Sequence, residues 1–205
     1  MVAYAKSRYI SEEEYLERES RAETKSEYFD GCIVAMAGAS PTHNRIKDNI
    51  SGELYQQLKR TPCQAFSSDQ RVKAVKARQY TYPDIVVVCG APTFERIQNL
   101  ETLTNPALIV EVLSDTTEAE DRGFKFHNYQ SIDSLKDYIL VSQKQPLIEH
   151  YERQSDNSWR YTAIIGLDAS LRLPFYDVKI GLADMYDRVT FPQPEVEAEE
   201  QQNEP

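Results

Sequence analysis

Residues 107–114 read ALIVEVLS, a run in which six hydrophobic side chains surround a single carboxylate, Glu111. A short apolar run of this kind predicts a buried β-strand. Side chains alternate between the two faces of a strand, so Glu111 shares its face with Ile109 and Leu113. A buried carboxylate is costly unless a partner compensates its charge. The strand therefore predicts a partner for Glu111 elsewhere in the chain.

Length and composition are those of a soluble globular protein. The chain has 205 residues, of which 40% are hydrophobic and 27% are charged, and this is enough to bury one sizeable core. We predict a single domain over residues 1–190. Residues 191–205 hold five glutamates without Lys or Arg, which predicts a disordered acidic tail.

The chain shows no signal for a membrane or for export. No apolar run approaches the roughly 18 residues that cross a bilayer, and the N-terminus MVAYAKSRYI lacks an apolar signal region. The cysteines, Cys32, Cys63 and Cys89, are odd in number and lack C-x-x-C spacing. This pattern predicts a cytoplasmic protein with neither a disulfide framework nor a structural zinc site.

The charge of the chain is unevenly distributed. A net charge of −10 argues against tight non-specific binding to nucleic acid. Residues 70–80, however, contain four basic side chains and no acidic one: Arg71, Lys73, Lys76 and Arg78. The run is typical either of a hairpin that contacts nucleic-acid phosphates or of a solvated turn.

The pattern along the chain predicts a mixed fold. Ser11 with Glu14 begins a helix that runs to about residue 22. Asp30-Gly31 joins two short strands in a hairpin, and apolar residues at four-residue spacing make 41–60 an amphipathic helix. Further strands are predicted at 66–75, 80–88, 107–114, 138–141, 147–153 and 159–166, with helices at 118–130 and 180–186. The fold class is α/β (α+β), with a mixed central sheet flanked by helices.

Two acids are expected to converge at one site if their strands are neighbours. Asp84 precedes the apolar run of the 80–88 strand, and Glu111 lies within the 107–114 strand. Two adjacent carboxylates repel each other, and a hard divalent cation such as Mg²⁺ relieves that repulsion. The alternative is that Asp84 caps a turn and Glu111 pairs with a nearby Arg or Lys.

Glu27, on the first hairpin, is a candidate third acid, and the 118–130 helix adds a lysine. Asp121, Lys125 and Tyr129 follow at four-residue intervals on one helical face. An Asp–Lys pair at this spacing is often only a surface ion pair. Beside a metal, Lys125 would instead orient the attacking water and offset charge in the transition state.

Taken in order, these motifs resemble a known family. SEYFDG, a histidine (His43) near a helix start, YPDIVVV, LIVEVLS and D-x3-K-x3-Y together resemble the Uma-type endonuclease family of the PD-(D/E)xK nuclease superfamily, over roughly residues 11–190. The resemblance implies a restriction-endonuclease-like core and a DNA endonuclease that uses Mg²⁺ or Mn²⁺. It implies Asp84 and Glu111 as metal ligands, with Glu27 and Lys125 completing the catalytic set.

One departure from the superfamily pattern leaves a second function open. The usual lysine, two residues after the second acid, is replaced by Leu113, so Lys125 would be a lysine that has moved to the following helix. The alternative is a catalytically weak or inactive module with a binding or regulatory role. The resemblance also implies a homodimer, and the sequence favours capping or packing for His43.

Overall fold

The computed structural model describes residues 8–192 and folds them into two six-stranded sheets and one two-stranded sheet. In chain order the strands are β1 (Ser26–Phe29), β2 (Cys32–Ala35), β3 (Cys63–Ser67), β4 (Val72–Ala74), β5 (Gln79–Thr81), β6 (Ile85–Cys89), β7 (Phe94–Ile97), β8 (Leu100–Leu103), β9 (Leu108–Val112), β10 (Asp137–Val141), β11 (Leu147–Arg153), β12 (Trp159–Ile165), β13 (Ser170–Leu173) and β14 (Val178–Gly181). The mixed α/β fold predicted from the sequence is confirmed.

The helices are few, and most are short. They are α1 (Glu12–Glu19), α2 (Pro41–Leu58), α3 (Glu118–Glu120), α4 (Phe126–Tyr129) and α5 (Leu182–Met185). A π-helical turn, Asp121–Lys125, joins α3 to α4, so the predicted 118–130 helix is present but widened at its centre. Single π-helical turns inside α-helices are frequent at functional sites.

The central sheet has the strand order β12-β11-β10-β9-β6-β3. Strands β9 and β10 are parallel and joined by the α3–α4 crossover, whereas β6 runs antiparallel to β9. Every residue of β9 is buried. Its Leu108 and Val110 pack in the same apolar cluster as Ile50 of α2, and Ile109 packs on the opposite face. The alternation predicted for this strand is therefore confirmed.

The second sheet, with order β2-β1-β5-β4-β8-β7, supplies one wall of the site described below. Its β1–β2 hairpin turns at Asp30 and Gly31, whose φ angles are 36° and 103°. Both angles are positive, which is the conformation that a two-residue type I′ turn requires and that Asp-Gly accommodates. The predicted hairpin is confirmed, and its register places Phe29 opposite Cys32.

Two of the predicted strands are each divided between the two large sheets. The 66–75 prediction covers parts of β3 and β4, and the 80–88 prediction covers parts of β5 and β6. Pro83 lies at the second division, where its missing N–H cannot join a ladder. The chain leaves one sheet there and enters the other at Asp84. Strands β7, β8, β13 and β14 were not predicted, and Ile180 belongs to β14 rather than to the last helix.

The cysteines depart from the expectation that the chain has no disulfide framework, because one disulfide is present. Cys63 and Cys89 lie directly opposite each other in the antiparallel β3–β6 pair and form a disulfide, while Cys32 remains free. Sequence spacing could not reveal this pairing because it depends on strand register. Within residues 8–192, no helix is long and apolar enough to cross a membrane.

The predicted tail lies mostly outside the described residues, since only Phe191 and Pro192 of residues 191–205 are among them. Phe191 packs with its ring centroid 5.2 Å from that of Tyr186. The packed part of the chain therefore extends at least one residue beyond the predicted boundary at residue 190.

Candidate active site

Asp84 and Glu111 meet where β6 and β9 pair. The backbone N–H of Asp84 donates to Oε2 of Glu111 at 3.3 Å, and the N–H of Val112 donates to Oδ2 of Asp84 at 2.8 Å. The antiparallel register of β6 and β9 places each carboxylate beside the other's backbone. The structure thus brings these two predicted residues together.

Lys125 lies at the centre of the acidic cluster. Its Nζ is 3.0 Å from Asp121 Oδ1, 3.3 Å from Glu27 Oε1 and 3.5 Å from Glu111 Oε1. Its side chain is only 8% exposed, so this is a buried ion cluster rather than a surface i,i+4 pair. The crossover between β9 and β10 carries Lys125 back over the face of β9 that bears Glu111.

Glu27 enters the cluster from the second sheet. Its Oε1 accepts a hydrogen bond from the backbone N–H of Tyr82 at 3.1 Å and also contacts Lys125. The residue is 8% exposed. All four residues that the sequence nominated, Glu27, Asp84, Glu111 and Lys125, therefore lie in one site contributed by both large sheets and the crossover helix.

The pKa values of Glu111 and Lys125 are both shifted, because the two groups are buried and because carboxylates outnumber cations around them. Burial raises the pKa of Glu111 well above its ordinary value, and repulsion from Asp121, Asp84 and Glu27 adds to the rise, whereas Lys125 opposes it. For Lys125, burial acts to lower the pKa, but Glu111, Glu27 and Asp121 together raise it well above the ordinary value. The lysine is therefore held as an ammonium ion.

Two residues of the D-x3-K-x3-Y motif complete the packing around Glu111. Tyr129 directs its hydroxyl to Oε1 of Glu111 at 3.4 Å and to Thr81 Oγ1 at 2.7 Å. Asp121 is 2% exposed and pairs with Lys125. The sequence showed that the three motif residues share a helical face, but it gave no role to Tyr129.

His43 has a position that the sequence did not predict. The side chain of Ser40 caps α2 by accepting a hydrogen bond from the backbone N–H of His43. The cap does not involve the imidazole ring of His43, which makes a separate contact. Its Nε2 lies 3.1 Å from Oδ2 of Asp84, and its side chain is 12% exposed. The family pattern was the only signal that could have found this contact.

The basic run divides into two buried and two exposed side chains. Arg71 is 2% exposed and stacks against Tyr80 and Tyr82, while its Nε donates to Thr102. Lys73 is 8% exposed and pairs with Glu12 and Glu95.

Lys76 and Arg78 remain exposed and are paired with acids, Lys76 with Asp133 and Arg78 with Asp30. Because Arg71 and Lys73 are inside the protein, the expected row of four phosphate contacts does not exist as a surface. The tyrosines around Arg71, which bury its guanidinium, could not be assigned to it from sequence.

The donor set fits a hard divalent cation such as Mg²⁺. Within residues 8–192, no three His, Cys, Asp or Glu side chains are already arranged as a complete ligand set. Mg²⁺ nevertheless takes as few as one or two protein carboxylates, its other ligands being water and substrate oxygens. Burial is the main cause of the raised pKa of Glu111, and a cation would relieve the carboxylate repulsion that adds to it.

The acidic cluster opens into a wide cleft of about 1750 Å³. Small-molecule sites are usually about 300–1000 Å³ in volume, so this cleft is large for such a ligand. Asp84, Glu111 and Lys125 line it together with the N-terminal part of α2 and the β2 strand. The acidic cluster therefore lies in an open cleft rather than in a closed cavity.

Comparison with known proteins gives a consistent result. A family model described as "Uma2: Putative restriction endonuclease" matches residues 12–182. Two uncharacterized proteins of Synechocystis sp. are similar: sll1609 is 34% identical over 87% of this chain and 100% of its own length, and slr1290 is 38% identical over 85% and 88%.

A solved structure supports the fold. The crystal structure of a putative nuclease belonging to DUF820 from Anabaena variabilis superposes with a TM-score of 0.72, at 19% identity, over 88% of this chain and 99% of that chain. At this identity the likeness concerns the fold alone.

Proposed function

The chain belongs to the Uma2 family, described as putative restriction endonucleases, and on that premise we propose that it is a Mg²⁺-dependent endonuclease that hydrolyses DNA phosphodiester bonds. The observation that carries the proposal is the convergence of Asp84, Glu111, Glu27 and Lys125 in a cleft large enough for a polymer. An intact cluster of this composition favours an enzyme over the alternative of an inactive binding module.

Asp84 and Glu111 are the proposed ligands of Mg²⁺ or Mn²⁺. A bound divalent cation would supply Lewis-acid stabilisation of the phosphoryl oxygens and a more acidic water. Asp84 is fixed for this role because the N–H of Val112 and the ring of His43 both contact its Oδ2. Among residues 8–192, its Oδ1 has no hydrogen-bond partner and is available to a ligand.

Lys125 is the proposed hydrogen-bond donor to the reacting phosphate. Its ammonium group is held by three carboxylates, and a buried, preorganised cation stabilises developing charge much more than a solvated one does. Glu27 orients this lysine and, through the N–H of Tyr82, links it to the segment that leads to Asp84. The replacement of the usual lysine by Leu113 does not deprive the site of a cation.

The experiment is a nicking assay on supercoiled plasmid DNA in Mg²⁺ or Mn²⁺, with EDTA as the negative condition. We expect metal-dependent nicking by the wild-type protein and its loss in Asp84→Asn and Lys125→Met. Metal-independent nicking, or equal activity in all three proteins, would contradict the proposal. A cytoplasmic location and a homodimer remain predictions, to be tested by cell fractionation and by light scattering.

A further inference from the structure

The two walls of the cleft differ in chemistry. One wall is formed by β2 and the segment that follows it, and its side chains are apolar. The N–H of Met36 donates to the carbonyl of Lys25, so the β1–β2 pairing continues past the end of β2. In this register Val34 lies opposite Glu27. Val34 and Met36 therefore share the sheet face of the catalytic acid Glu27.

This apolar wall is exposed. Residues 35–39 read AMAGA and are all exposed, and the side chain of Met36 is 38% exposed. Continuous exposed apolar runs are unusual in a soluble protein unless they bind something. These residues line the same cleft as Asp84, Glu111 and Lys125.

A second wall of the cleft, formed by α2, carries Lys47, a cation without a carboxylate partner among the described residues. It lies on α2 four residues after His43, which places it on the same helical face about 6 Å along the axis. Its Nζ approaches Ser68 Oγ at 3.3 Å and Asn44 Oδ1 at 3.5 Å. Among the described residues it has no carboxylate partner, whereas the other lysines of the cleft, Lys25, Lys125 and Lys144, are all paired with acids.

The overall charge of the cleft limits the kind of polymer that it can hold. Seven Asp or Glu side chains and four Lys line it. Duplex DNA carries roughly one negative charge per 1.7 Å of axis, about twice the density of one strand. A duplex also turns its base faces inward, so it has nothing to place against an apolar wall.

We propose that the cleft binds an unpaired nucleic-acid strand, with a backbone phosphate on Lys47 and a base against Val34 and Met36. The proposal rests on the proposed nuclease function and names its substrate form. A strand of this kind is amphipathic, because its phosphates are charged and its unstacked bases are flat and apolar. Strand-binding proteins combine a cationic track with apolar or aromatic contacts to bases in this way.

The test is fluorescence anisotropy with an oligonucleotide of about 16 nucleotides, as a single strand and as its duplex, with Ca²⁺ in place of Mg²⁺ to prevent cleavage. The same sequence is tested as DNA and as RNA. We expect the Kd of the single strand to be about tenfold lower than the Kd of the duplex. A single-strand preference with either sugar supports the proposal, and equal or tighter binding of the duplex in both forms overturns it.

Two variants test the contributions of the two walls separately. Lys47→Ala should reduce the slope of log K against log salt by about 0.7, the value for one phosphate contact on a single strand. Met36→Ser should weaken binding about fivefold with the slope unchanged, because it removes apolar contact and no charge. The matched controls are Lys59→Ala, at the exposed end of α2, and Leu167→Ser, on a distant exposed turn.

The proposed roles of the two walls are overturned if Met36→Ser leaves the affinity unchanged. They are also overturned if the two control variants lower the affinity as much as the two test variants do. The nuclease proposal fails separately. If the strand binds as expected but neither it nor plasmid DNA is cut in Mg²⁺ or Mn²⁺, the binding mode stands and the catalytic function falls. If plasmid DNA is nicked but the duplex binds more tightly than the single strand, the catalytic function stands and the proposed binding mode fails.

Discussion

Nε2 of His43 lies 3.1 Å from Oδ2 of Asp84, the same oxygen that accepts the N–H of Val112. One oxygen of the carboxylate is thus held by the protein from two directions, and the other is left for a ligand. These two contacts restrain the rotation of the Asp84 side chain. We therefore expect His43 to position this candidate metal ligand.

The first prediction follows from this contact. His43→Ala should weaken Mn²⁺ binding about tenfold or more, since loss of a residue that orients a metal ligand typically costs 10–100-fold in affinity. Isothermal titration calorimetry with Mn²⁺ alone measures the effect without reference to activity. His127→Ala is the matched control, because His127 is exposed on α4. Equal Mn²⁺ affinity in both variants would show that His43 only packs against the helix start.

The second prediction concerns the metal and the stability of the fold. A cation that binds the native protein alone stabilises it by RT ln(1 + [L]/Kd), which is about 2.7 kcal/mol at a hundredfold excess over Kd. We expect the melting temperature of the wild-type protein to rise with Mg²⁺ or Mn²⁺ concentration. Asp84→Asn removes a ligand charge and should abolish most of that rise. Identical metal responses in the two proteins would exclude Asp84 as a ligand.

The third prediction concerns the buried lysine. Lys125→Met leaves Glu27, Glu111 and Asp121 without their cation, and breaking a buried ion pair in this way costs about 3–5 kcal/mol. Urea unfolding without metal should show this loss. Lys76→Met removes an equal charge from an exposed pair with Asp133, and such pairs contribute about 0–1 kcal/mol. Similar losses in both variants would mean that the cluster around Lys125 is well solvated.

Much of the fold could be predicted from the sequence because local patterns determine it. The alternation around Glu111, the Asp30-Gly31 turn and the apolar stripe of α2 each depend on residues a few positions apart, and all three were confirmed. The convergence of Asp84 with Glu111 could also be predicted, because Asp84 precedes one strand, Glu111 lies within another, and pairing of the two strands brings them together.

The remaining features depend on contacts that are distant in sequence. The Cys63–Cys89 pair follows from strand register, and the burial of Arg71 follows from aromatic rings on other strands. At Pro83 the chain passes from one sheet to the other. Apolar runs lie on both sides of this residue, so the sequence predicted one continuous strand there. Apart from the family pattern, the sequence indicated only capping or packing for His43, whereas its contact with Asp84 depends on where its ring points.

The last prediction concerns Glu111, the carboxylate inside the ALIVEVLS strand. Its raised pKa means that folding disfavours its ionised form, so the charge destabilises the metal-free protein above the ordinary carboxyl pKa. Glu111→Gln keeps the shape of the side chain and removes that charge. Lys125 still has Glu27 and Asp121 within 3.3 Å, so no cation is left unpaired. We therefore expect the variant to be as stable as the wild-type protein or more stable in metal-free urea unfolding.

The same variant should lose plasmid nicking and most of its response to Mn²⁺, because the proposed ligand is gone. Glu149→Gln is the matched control: Glu149 is buried too, but it pairs with Arg122, and neither residue lines the cleft. If Glu111 were instead a structural partner of Lys125, its loss would destabilise the fold by roughly 3–5 kcal/mol. A large loss of stability in Glu111→Gln, with the Mn²⁺ response retained, would assign this carboxylate to the fold rather than to catalysis.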